Sequence, residues 1–130
     1  MRLGDENSMI MKIDAIVREE KFEDVKNALM EIEVNGLTVS QVMGCGLQRG
    51  YKEIVRGMEV EPQMQPKIKF EIVVSSEEWA DKTIDAIKKA AYTGEYGDGK
   101  IFCYPVEKAV KIKKPLIQEN LVMGKFSVIL

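Results

Sequence analysis

The residues best suited to chemistry lie together in Thr93-Gly94-Glu95-Tyr96-Gly97-Asp98-Gly99-Lys100-Ile101-Phe102. Glycines let backbone N–H groups approach an anion closely, because no Cβ intervenes. A lysine at the end of such a turn adds positive charge. The stretch suits a phosphate, and it equally suits a tight helix-to-strand turn whose glycines serve only positive φ. A second cluster, Gly44-Cys45-Gly46-Leu47-Gln48-Arg49-Gly50, again mixes glycines with polar and cationic side chains. Close backbone approach to a ligand, or a sharp exit from a strand, calls for that composition.

Several chemistries are disfavoured at once. Gly94 and Gly99-Lys100 have the spacing of a P-loop, but Ile101 occupies the place of the magnesium-binding Ser or Thr. The order helix, turn, strand is also the reverse of a P-loop's. The chain contains no histidine, which removes His-based acid–base catalysis, Ser-His and Cys-His nucleophiles, phosphohistidine transfer and most zinc sites. A net charge of −2 gives no bulk attraction to nucleic acid. No apolar run is long enough to span a membrane. Met1 to Met9 lacks the apolar core of a signal peptide. With only Cys45 and Cys103, reduced thiols in a cytoplasm are the expectation.

These residues need a frame. Ile10 to Arg18 alternates as a strand, with Ile16 breaking the alternation, so that both faces are partly covered. Phe22, Val25, Ala28, Leu29 and Ile32 then recur at helical spacing until Gly36. Leu37 to Cys45 is a second strand, and Tyr51 to Pro66 a long loop without a period. Lys67 to Val74 is a third strand. Ser75, three residues before Glu78, reads as a capping box opening a helix that buries Trp79, Ala80, Thr83, Ile84, Ile87, Ala90 and Ala91 and stops at Gly94. Ile101 to Val106 is a fourth strand, with a short fifth at Val110 to Lys113. The order β-α-β-loop-β-α-β predicts an α+β, ferredoxin-like split βαβ fold with both helices on one face of an antiparallel sheet. The other face, carrying Ile16 and Val73, is then available for self-association. The expected organisation is a leader at 1–9, one domain at 10–114 and an extension at 115–130 with an apolar end, Phe126 to Leu130.

Four stretches give the chain a resemblance to the PII signal-transduction family, the nitrogen-status regulators. Lys12 to Arg18 resembles the family's opening strand, and Gly36-Leu37-Thr38-Val39-Ser40 its second strand entry. Gly44 to Gly50 is similar to the family's Gly-Phe-Gly-Arg-Gln-Lys-Gly, and Ala90 to Phe102 to its most diagnostic motif. The resemblance implies a homotrimer, not an enzyme, that binds ATP or ADP between subunits. Residues 46–66 take the position of the T-loop, which docks on target proteins such as an ammonium channel or a metabolic enzyme. It implies a nucleotide site from Thr38, Gly44, Cys45, Gly46, Leu47, Gln48, Val73, Gly97, Asp98, Gly99, Lys100 and Phe102. Lys111 and Lys113 would reach the phosphates from the neighbouring chain. Gln48 matches the residue that helps hold Mg2+ beside ATP, and Gln48 with Lys67 would hold 2-oxoglutarate. Arg56, Gly57 and Glu59 match the docking core of the loop.

Departures from the family pattern bear on ligand choice. Leu47 stands where a basic residue is usual, Lys111 and Lys113 replace arginines, and Glu95 replaces a common lysine. Each change weakens recognition of a triphosphate, since lysine loses the bidentate fork of arginine. ADP or AMP is therefore expected to compete well with ATP. Val60 has no hydroxyl to be uridylylated, and Met58 replaces a serine modified in some members. The alternative is a specialised relative that senses AMP, ADP or another small anion such as bicarbonate for a target outside nitrogen metabolism.

Overall fold

A computed structural model describes residues 9–34, 36–46 and 63–113. Strand β1 spans Met11–Arg18, and a 3-10 turn at Glu19–Lys21 leads into helix α1, Phe22–Glu31. Strands β2, Thr38–Gly46, and β3, Gln63–Val74, precede helix α2, Glu77–Ala91, and strand β4, Gly99–Pro105. The strands form one antiparallel sheet in the order β2-β3-β1-β4. This is the ferredoxin-like split βαβ arrangement that the element order predicts.

The core lies between the sheet and the helices. Ile13, Ala15 and Val17 of β1 are registered with Ile72, Phe70 and Ile68 of β3 and are buried beneath Val25 and Leu29 of α1 and Ala80 and Ile87 of α2. The period-2 and period-3.6 stripes of the sequence meet here, which is why those segments take those structures. Phe22 stacks on Phe70 with ring centroids 5.7 Å apart.

Beyond shifts of a residue or two at strand ends, four differences from the sequence reading bear on the frame. Strand β3 begins at Gln63, not Lys67, and pairs with β2 out to Gly46↔Gln63. The capping residue of α2 is Ser76 rather than Ser75. Its Oγ accepts from Trp79 N at 3.1 Å, so Trp79 and not Glu78 stands at the third helical position. Helix α1 does not run to Gly36. Glu33 adopts φ 67, Glu33 N donates to Met30 O and Val34 N to Leu29 O, both at 2.9 Å. This is a Schellman closure with a glutamate at the left-handed position, and Val34 and Leu29 are both buried in the core. Residues 110–113 form no strand.

The sheet's second face carries Lys12, Asp14, Ile16 and Arg18 of β1, with Lys67, Lys69, Glu71 and Val73 of β3 in register. Lys100, Phe102 and Tyr104 of β4 join them, as do Thr38, Ser40, Val42 and Gly44 of β2. No element among the described residues covers this face, and Phe102 is 50% exposed. At its centre Tyr104 donates to Asp14 Oδ2 at 2.8 Å, and Lys12 pairs with Glu71 at 2.8 Å. The hydrogen bond to Asp14 holds the Tyr104 phenol above its usual range. Asp14 Oδ1 is buried without a hydrogen-bond partner, 3.7 Å from Lys12 Nζ.

Candidate functional site

Helix α2 ends at Ala91, and Tyr92 N closes it on Lys88 O at 3.1 Å. The chain must then reverse within seven residues to enter β4 at Gly99. Gly94, Gly97 and Gly99 all sit at positive φ, at 90°, 98° and 117°, where L side chains are strained. Gly99 has a further constraint. A Cβ there would overlap the carbonyl oxygen of Ile16 and lie 2.9 Å from its carbon. The glycine lets β4 pass against β1.

Asp98 holds this turn from within. Its carboxylate accepts from Thr93 N at 2.8 Å, Gly94 N at 3.0 Å and the Thr93 hydroxyl, and from Arg18 Nε at 3.1 Å. The Thr93 hydroxyl, then the Thr93 and Gly94 amides and Arg18, hold the carboxyl well below the usual carboxylate range, outweighing the loss of solvent around it, which raises it. Asp98 is thus engaged by its own turn, and its contribution to any ligand is the turn's shape.

Two cations from other strands grip the outside of the turn. Arg18 donates to Tyr96 O at 2.6 Å, and Lys67 Nζ to Gly97 O at 2.7 Å. Arg18 and Lys67 are directly opposed across β1 and β3. Gly44 lies beside them, since a Cβ there would come 3.2 Å from Lys67 Cγ. One corner of the open face therefore collects Gly44, Lys67, Arg18 and the Gly97-Asp98-Gly99 turn, with Lys100 following on the same face. Such a corner, with cations beside a glycine-rich turn, is suited to an anion.

The remaining sequence-selected residues spread along the same face or lie elsewhere. Thr38 and Phe102 are exposed and Val73 half-buried on the open face. Gly46 pairs with Gln63 at the last step of the β2–β3 ladder. Cys45, between Gly44 and Gly46, occupies the opposite, helix-side face and is exposed. Lys111 is half-buried and Lys113 exposed. They follow Pro105, where Val106 N bonds Ile10 O at 2.8 Å at the end of the sheet remote from Arg18. Leu47, Gln48, Arg56, Gly57 and Glu59 lie outside the described residues. Arg18 is the functional residue that sequence reasoning passed over. Its signal, a cation ending a strand, gains meaning only from the register that sets it against Lys67.

Behind the turn, on the helix side, Val17, Ile87, Ala91, Tyr92 and Ile101 line a cavity of about 140 Å³. Asp98, Gly99 and Lys100 of the turn line it as well, and within one chain it is smaller than the roughly 300–1,000 Å³ of a typical ligand pocket.

Fold and corner together define a ferredoxin-like protein with an anion-suited glycine turn at the edge of an uncovered sheet face. Comparison with known proteins makes the assignment specific. The family model described as "Nitrogen regulatory protein P-II" matches residues 10–115. The nitrogen regulatory protein P-II of Pasteurella multocida is 44% identical over 102 residues, covering 78% of this chain and 90% of the relative. P-II 1 of Escherichia coli K12 is 43% identical over 102 residues with the same coverage, 78% and 90%. Among solved structures, GlnK of B. subtilis matches with a TM-score of 0.67 and 38% identity, over 82% of this chain and 92% of that one. The B. subtilis GlnK–ATP complex gives 0.65 and 35% over 80% and 89%. Arabidopsis thaliana PII bound to citrate gives 0.62 and 34% over 82% and 86%. The chain belongs to the nitrogen regulatory P-II family, whose members are signal-transduction regulators rather than enzymes. No helix among the described residues is long and apolar enough to cross a membrane.

Proposed function

We propose that this chain is a nucleotide-sensing regulator that assembles as a homotrimer, binds ATP or ADP in the seams between subunits and controls target proteins through residues 47–62, which connect β2 to β3. The observation that carries the reading is the turn at residues 93–99, held in shape by Asp98 and flanked by Arg18, Lys67 and Lys100. A neighbour solved as a GlnK–ATP complex supports an adenine nucleotide as the ligand. Trimer formation through the open face has its own support. Phe102 is half exposed there and Tyr104 40% exposed, aromatic surface that a neighbouring chain would cover. Lys111 and Lys113 would then serve the neighbour's phosphates rather than their own chain's.

In this reading Gln48 holds Mg2+ beside ATP, an amide oxygen being a hard ligand, and Arg56, Gly57 and Glu59 dock on the target. Lys67 has two possible partners. It holds Gly97 O at 2.7 Å, so a 2-oxoglutarate carboxylate would have to draw it from the turn. That exchange links the anion, the phosphate turn and the foot of the loop, where Lys67 opposes Val42. Ligand at the seam would thereby select among loop shapes with different target affinity. The lysines at 111 and 113 and Leu47 favour ADP or AMP as strong competitors of ATP.

A thermal-shift panel of ATP, ADP, AMP, Mg2+, 2-oxoglutarate and bicarbonate tests the reading, because a ligand bound only by the native state raises its melting temperature. Adenine nucleotides should give the largest shifts, with ADP or AMP comparable to ATP. ATP far tighter than both would remove the second claim. Response to bicarbonate alone would favour the specialised-relative alternative.

A further inference from the structure

We infer that Met43, Cys45 and Met64 form a soft-metal site that takes one monovalent ion, Cu(I) or Ag(I), at the foot of the β2–β3 ribbon. The register supplies the geometry. Cys45 is directly opposite Met64, Met43 is directly opposite Pro66, and all four positions share the helix-side face. Directly opposed Cβ atoms lie about 4.5–5.5 Å apart and diagonal ones about 7–8 Å. Both methionine sulfurs lie two bonds beyond Cβ on unbranched chains, so they can close on a common ion beside the Cys45 sulfur.

Packing does not account for these side chains. Among the described residues Met43 is left 57% exposed and Met64 55% exposed, and Cys45 is a free, exposed thiol. Thiolate and thioether are soft donors of the kind that select Cu(I), zinc and iron–sulfur clusters, and with a single thiolate here the monovalent Cu(I) is the fit. Zinc and harder ions find no match. The chain has no histidine, and the described residues contain no group of three His, Cys, Asp or Glu side chains suited to a metal. On binding, the Cys45 thiol gives up its proton to solvent and the thiolate bonds to the cation, with no change of oxidation state. The ion would staple β2 to β3 where both strands enter residues 47–62. The site is independent of the nucleotide corner, which lies on the opposite face.

Cys103 serves as an internal control. It lies on β4, with β3 and β1 between it and β2, too far to share the ion at about 4.8 Å per strand. Burial also pushes its thiol up, which makes it a poor competitor.

The test is anaerobic titration of the full chain against a chromophoric Cu(I)–bicinchoninate probe. Wild type and Cys103→Ser should each withdraw one Cu(I) per chain, and Cys45→Ser none. Loss of even outer-shell partners costs about 10–100-fold in affinity. The Met43→Leu/Met64→Leu double variant, which keeps the thiol and the apolar volume, should therefore weaken binding by about tenfold or more at an unchanged melting temperature. Three results overturn the inference: no withdrawal, withdrawal that falls equally with either cysteine, or unchanged affinity in the double methionine variant. The last would identify the methionines as an apolar docking surface beside an ordinary thiol.

Discussion

Replacing Gly99 by alanine should be among the most damaging small substitutions in the chain, and the reason is geometric. At φ 117° an alanine pays the strain of a region that L residues avoid, about 1–3 kcal/mol. Its methyl group also overlaps the Ile16 carbonyl oxygen. That is backbone and cannot rotate aside, so β4 must lift from β1 at the Val17↔Gly99 pair. Overpacking of this kind adds about 1–3 kcal/mol. The sum, about 2–6 kcal/mol, compares with a typical domain stability of about 5–15 kcal/mol. Gly97→Ala is the matched control. Its φ of 98° carries a similar strain, but the added Cβ meets only the ends of the Arg18 and Lys67 side chains, at 3.3 and 3.7 Å, which can move. Urea unfolding of the two variants beside wild type decides the matter. Gly99→Ala should lose clearly more stability than Gly97→Ala. If both fall within about 0.5 kcal/mol of wild type, the account of how the turn sits on the sheet is wrong.

Other consequences are equally direct. Asp98 has a carboxyl held below its ordinary value of 3.8. Its contribution to stability is therefore complete above about pH 4 and lost as pH falls below that. The stability gap between wild type and Asp98→Asn should narrow on acidification from pH 6 to pH 3, and a constant gap would contradict the assignment. Glu33→Gly removes a left-handed glutamate worth about 1–2 kcal/mol of strain, offset by about 0.5–1 kcal/mol of glycine entropy. The melting temperature should rise by a few degrees, and a fall would mean that Glu33 makes a compensating contact. Lys67→Met frees Gly97 O and removes the cation beside Gly44, so it should abolish any 2-oxoglutarate response while only weakening ADP binding, since Asp98 and Arg18 still hold the turn. An unchanged 2-oxoglutarate affinity in calorimetry would remove Lys67 from that site.

Much of the frame was legible because the core stripes are regular. Ile68, Phe70, Ile72 and Val74 alternate, and all four are buried. The errors arose where local signals competed. Gln63, Met64, Gln65 and Pro66 carry no strand pattern, yet they extend β3. Pro66 is tolerated because β1 stops pairing at Arg18↔Lys67, which makes β3 a local edge there. Ser75 and Ser76 are both capping residues by type, and only the backbone chooses between them. Glu33 was hidden because glycine is the expected left-handed residue and Gly36 stood nearby. In the site, the glycines and Lys100 were visible as a cluster. The bond from Arg18 to Asp98 joins residues 80 apart, and nothing short of the strand register reveals it. Asp98 looked like a ligand residue for the same reason, since its partners Thr93 and Gly94 are found only once the turn is folded.

The central claim is that this turn helps hold an adenine nucleotide at a boundary between identical chains. Native mass spectrometry of the full chain titrated with ADP tests both halves at once. The account predicts three chains with up to three nucleotides bound, and loss of nucleotide without loss of assembly in Gly97→Ala. A monomer, or a trimer whose nucleotide occupancy is untouched by Gly97→Ala, would contradict it.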